Sequence, residues 1–108
     1  RDLERTKIIL SYIDENYKEA ISITDIASYC GFSESHFMRF FKNTMGVSFV
    51  TYLNDFRLNI AARLLSTSDE NILSIAENCG FFNLSYFNRS FKKKFGVTPG
   101  EYRSRYTD

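Results

Sequence analysis

The chain has 108 residues, 44% of them apolar and 17% aromatic, with a net charge of +1. That length makes one compact domain, or at most two small subdomains sharing a spine, and the apolar share can close a core without metal or disulfide support. One proline and five glycines are too few for the turns of an all-β sandwich, so the composition points to a mainly helical globule. The absence of an 18-residue apolar run or a leader pattern suggests a cytoplasmic domain with no membrane partner. The start at Arg1, directly in a charged helical pattern, suggests a C-terminal piece of a longer protein. Cys30 and Cys79 have neither zinc nor CxxC redox spacing. Each precedes a glycine, and both are expected to be small buried thiols.

The first expected element is a helix from about Leu3 to Tyr17 that buries Ile9, Tyr12 and Ile13. Ser22 then caps a short helix ending near Cys30, with Asp25 at the position of a capping box, and Gly31 takes the left-handed conformation that ends it. Ser33 caps a second helix, which Gly46 closes. From about Ser48 to Ser66, Phe49, Leu53, Phe56, Ile60 and Leu64 fall at helical spacing. This long helix of roughly 28 Å is comparable to the roughly 34 Å between successive major-groove faces of DNA. A further short helix begins near Asn71 or Ile72 and stops at Gly80, Asn83 caps the next, and Gly96 ends it. Thr98-Pro99-Gly100-Glu101 opens a last helix with a capping box and proline in its first turn.

An internal repeat organises these elements. IASYCGFSESHFMRFFKNTMGVS (26–48) reappears as IAENCGFFNLSYFNRSFKKKFGVT (75–98), with one extra residue in the second copy. Two copies are too few for a solenoid. A helix, a tight glycine turn and a second helix, used twice, is a duplicated helix-turn-helix.

In each second helix the phenylalanines share one face: Phe37 and Phe41 with Phe40 beside them, then Phe87, Phe91 and Phe95. The opposite face carries Ser35, Met38, Arg39 and Lys42 in the first copy, and Ser85, Asn88, Arg89 and Lys92 in the second. Arginine pairs bidentately with guanine, asparagine with adenine, and methionine touches a thymine methyl. Residues 83–95 hold Arg89, Lys92, Lys93 and Lys94 and no acid, and the lysines suit phosphate, where charge outweighs geometry. The single histidine, His36, has Tyr86 as its repeat counterpart, so packing or a backbone contact is expected there. No Cys-His or Ser-His-Asp set, HExxH or glycine-rich phosphate loop is present. No enzyme activity, metal or cofactor is expected.

The stretch IAENCGF…SYFNRSFKKKFGVTPGEYR, Ile75 to Arg103, resembles the C-terminal signature of AraC/XylS-type transcription regulators, and IASYCGFSESHFMRFFKNTMG resembles the family's first motif. The resemblance implies an all-α fold of about seven helices, with two helix-turn-helix subdomains (1–47 and 67–108) joined by a long central helix (48–66). It implies binding of double-stranded promoter DNA through two adjacent major-groove segments. Base-reading positions would be Ser35, Met38 and Arg39 in the first unit and Leu84, Ser85, Asn88 and Arg89 in the second. Ser33, Lys42, Asn83, Lys92, Lys93 and Lys94 would meet phosphates. Met38 departs from the short polar residue usual at its place, and Phe82 and Leu84 make the second reading helix start apolar, which weights that unit toward phosphate contacts. RNA polymerase is an expected partner, and a small-molecule effector would act only through a separate N-terminal domain. The alternative reading is a helical protein-interaction module with little DNA affinity, supported by the near-neutral charge and the apolar Phe82 and Leu84.

Overall fold

The computed structural model describes residues 2–107. Seven helices run in order: α1 (Asp2–Asn16), α2 (Ile23–Tyr29), α3 (Glu34–Met45), α4 (Phe49–Thr67), α5 (Ile72–Asn78), α6 (Leu84–Phe95) and α7 (Pro99–Tyr106), with no strand among the described residues. The all-helical fold read from the sequence is the fold observed. The chain divides into two compact units, 1–53 and 54–108, and the division falls inside α4.

The helix starts follow from side chains that satisfy otherwise orphaned N–H groups. The Ser22 hydroxyl accepts from the Asp25 N–H, Ser33 from His36, Asn71 from Ser74 and Asn83 from Tyr86. At Thr98 the capping box is complete: its hydroxyl accepts from the Glu101 N–H, and its own N–H donates to the Glu101 carboxylate at 2.8 Å. That backbone N–H, followed by the Thr98 hydroxyl, holds the Glu101 carboxyl below its ordinary range. The cap is therefore fully present above the usual glutamate pKa and is lost as pH falls through the lowered one. Gly46 and Gly96 end α3 and α6 at φ 82° and 80°, the left-handed region that a Cβ disfavours.

In the first unit the core joins Ile9 and Ile13 of α1, Ile26 and Ala27 of α2, Phe37 and Phe41 of α3, and Phe49 and Leu53 of α4. The Phe49 ring meets Phe37 and Phe41 edge-on at 5.3 and 5.5 Å, the geometry aromatic quadrupoles favour. Tyr12 is half-buried and rests against Tyr29 at 4.9 Å. Cys30 is also half-buried rather than buried. Even so, desolvation pushes its thiol up, away from a reactive thiolate.

The second unit closes over Leu58, Ala61, Ala62 and Leu65 of α4, Ile75, Ala76 and Cys79, and Phe81, Phe87 and Phe91, with Phe95 and Tyr102 half-buried against them. The buried line of α4 therefore differs from the expected one. Phe56, Ile60 and Leu64 are half-buried, while two alanines carry the close contact. Periodicity read from large side chains passes over alanines, which let neighbouring helices approach.

The C-terminus of α4 is finished by a residue from α7. Arg103 donates from Nε to the Leu65 carbonyl at 3.0 Å and from Nη2 to the Ser68 carbonyl at 3.1 Å. A guanidinium here satisfies open carbonyls and meets the negative end of the helix dipole. Arg103→Ala is expected to lower stability by about 1.5–3 kcal/mol, read as a reduced urea midpoint. Arg103→Lys should recover only part of that loss, because an ammonium lacks the planar fork.

Candidate nucleic-acid interface

Each unit presents one helix that follows a glycine turn and keeps its outer face open. With about 100° per residue, Ser35, Met38, Arg39 and Lys42 fall opposite the buried Phe37 and Phe41 on α3, and all four are exposed. On α6, Ser85, Asn88, Arg89 and Lys92 fall opposite Phe87 and Phe91 and are likewise exposed. The phenylalanine face anchors the helix, and the opposite face holds donors of fixed spacing on a rigid rod. Leu84 is the first residue of α6 and 40% exposed.

The six residues assigned to phosphate lie in different settings. Ser33 and Asn83 are exposed, but their side-chain oxygens are engaged as helix caps. Lys42 and Lys92 lie on the outer stripes, and Lys93, six residues after Phe87, is exposed on the outer side of α6 as well. Lys94 follows Phe87 by seven residues, which turns it toward the core-facing edge. Its ammonium lies 3.5 Å from the Asp55 carboxylate and over the Phe95 ring. The lysine run is thus split by the helix twist, and its last member is already paired.

The supports of α3 and α6 were not legible in the sequence. Asn54 on α4 donates through Nδ2 to the Tyr86 hydroxyl at 2.6 Å, and the Tyr86 ring rests on Phe81. Arg57 sits close to Cys79 and Tyr86, and burial draws its guanidinium below its ordinary value. These groups, with Asp55, fix the rotation of α6 about its own axis. In the first unit His36, the counterpart of Tyr86, lies 4.4 Å from the Phe32 ring. Arg5 covers the same ring at 4.7 Å. The lone histidine therefore packs on an aromatic ring, as its repeat partner implied.

Phe82 is the extra residue of the second copy. It stands immediately before the Asn83 cap and is 71% exposed. Among the described residues no group of three His, Cys, Asp or Glu side chains could hold a metal ion, and no helix is long and apolar enough to cross a membrane.

A family model described as a helix-turn-helix domain matches residues 26–105. The chain is 37% identical over 101 residues to the regulatory protein PocR of Salmonella typhimurium, covering 94% of this chain and 33% of PocR. The solved transcriptional regulator from Chromobacterium violaceum, described as containing an AraC-type DNA-binding domain, superposes with a TM-score of 0.87 at 31% identity, covering 95% of this chain and 92% of that one. The DNA-binding domain of AdpA, solved in complex with a target DNA, superposes with a TM-score of 0.88 at 25% identity, covering 94% and 91%. The chain spans about a third of the length of the first curated relatives it matches.

Proposed function

Because the chain belongs to the AraC-type helix-turn-helix family of DNA-binding transcription regulators, we propose that α3 and α6 each enter a major-groove segment of promoter DNA and read bases. The observation that carries this reading is the duplicated exposed stripe, Ser35, Met38, Arg39 and Lys42 on α3 and Ser85, Asn88, Arg89 and Lys92 on α6. Arg39 and Arg89 are assigned to guanine and Asn88 to adenine, while Ser35 and Ser85 bond base edges or phosphate. Lys42, Lys92 and Lys93 neutralise phosphate and set register. Lys94 reaches phosphate only by leaving Asp55. Ser33 and Asn83 serve first as caps, with the helix N-terminus behind them favouring a phosphate.

The same reading places the protein in the cytoplasm with the chromosome, and assigns no catalysis to this chain. A complete regulator built on it would meet RNA polymerase at the promoter and take an effector through a domain outside residues 1–108.

Arg89→Ala tests the assignment. The side chain is exposed on α6, so far-ultraviolet circular dichroism and the melting temperature should be unchanged. Affinity for a selected duplex should fall about 5- to 150-fold, with relaxed preference at one base position. Unchanged affinity would remove α6 from the groove.

A further inference from the structure

A groove in the first unit has apolar walls that the fold does not require. Ile23, Met38, Phe49 and Val50 line a space of about 390 Å³, with Arg39 and Lys42 at its rim and no acidic side chain among the described residues that line it. Met38 and Val50 are 52% and 59% exposed, so neither serves the core. The second unit is built on the same repeat without them, since the counterparts of Met38 and Val50 are Asn88 and Gly100. There Ile72, the counterpart of Ile23, lies over Gly100, where a Cβ would meet its Cδ1 at 3.8 Å. The repeat thus supplies its own control, and the exposed apolar walls of the first unit answer to something other than folding. The volume suits a small molecule, whose sites begin at roughly 300 Å³, better than a partner helix about 10 Å across.

We infer that this groove binds a small apolar carboxylic acid. The carboxylate accepts from the Arg39 guanidinium, whose planar fork matches two oxygens, and from the Lys42 ammonium. The apolar body lies against Met38 and Val50, which lose water on contact. The binding stands without DNA, whereas its consequence rests on the DNA-reading function above. Arg39 and Lys42 are the groups assigned there to a base and a phosphate, so bound acid and bound duplex exclude each other. The acid acts on the DNA-binding unit itself, separately from any effector held by a domain outside residues 1–108.

The chain has two methionines, Met38 in the groove and the half-buried Met45, so isotopic labelling of their methyl groups gives a probe and a reference. Octanoate and phenylpropionate are titrated by nuclear magnetic resonance at constant ionic strength, against their amides, which keep the shape and lose the charge. We expect the acids to shift the Met38 methyl saturably while Met45 stays in place, and the amides to bind about tenfold more weakly. Arg39→Gln should erase the preference for acid over amide, and Val50→Ser should weaken both. Equal affinity for acid and amide would overturn the proposal, as would a Met38 shift that never saturates or that Met45 shares. In fluorescence anisotropy with a duplex selected by this domain, acid at about ten times its dissociation constant should lower duplex affinity about tenfold. An unchanged duplex affinity would strike out the exclusion of DNA. Failure to select any duplex would remove the DNA-reading function and that exclusion with it, while the methyl shift still decides the binding.

Discussion

Raising the salt from about 25 to about 400 mM is expected to weaken binding to a selected duplex on the order of 2000-fold. The net charge of +1 gives no general attraction to DNA, so the effect must come from the few cations at the interface. Lys42, Lys92 and Lys93 are exposed on the outer side of α3 and α6. Three phosphate contacts release counterions with a slope of about −2.7 in log affinity against log salt. Lys94 is left out of that number because it faces Asp55. Lys92→Ala should flatten the slope by about 0.9 and weaken all sequences alike, while Lys94→Ala should leave the slope unchanged. A titration at several salt concentrations measures both. A flat response would point instead to the apolar protein interface that Phe82 and Leu84 would serve.

Replacement of Phe91 by alanine is expected to cost about 3–5 kcal/mol, a large share of the roughly 5–15 kcal/mol by which small domains are stable. The ring is fully buried. It lies 4.5 Å from Phe95, 5.8 Å from Phe87 and edge-on to Tyr102 at 5.4 Å. Its removal takes the support from under α6 and the anchor of α7 together. Phe95→Ala should cost visibly less, because that ring is half-buried against the same cluster. Urea unfolding followed by circular dichroism measures both losses. A Phe91 variant within about 1 kcal/mol of the parent would contradict the core assignment, since so small a loss lies well below that of a truncated core phenylalanine.

Most of the fold was legible because its determinants are local. Ser33, Asn83 and Thr98 cap from the position next to the helix they start, and Gly46 and Gly96 end helices from the next position on. Phe37, Phe41, Phe87 and Phe91 repeat at helical spacing and again between the copies. The exposure of Ser35, Arg39, Ser85, Asn88 and Arg89 follows from the same period. The supporting contacts depend on distance along the chain and escaped it. Arg103 bonds a carbonyl 38 residues away, and Asn54 meets Tyr86 across 32. Nothing in an ordinary asparagine or arginine on a helix marks such a partner. Lys94 looked like its two neighbours until the helix twist turned it to Asp55. Ala61 and Ala62 were passed over because small side chains carry little weight in a hydrophobic pattern, although they let helices pack closest.

The most direct test of two reading helices is a selection from a random duplex library with this domain, followed by sequencing of the bound fraction. Two enriched blocks within one site are predicted. Arg39→Ala should blur one block and Arg89→Ala the other. A single enriched block, blurred by only one of these variants, would contradict the account by leaving one helix as an anchor that reads no bases.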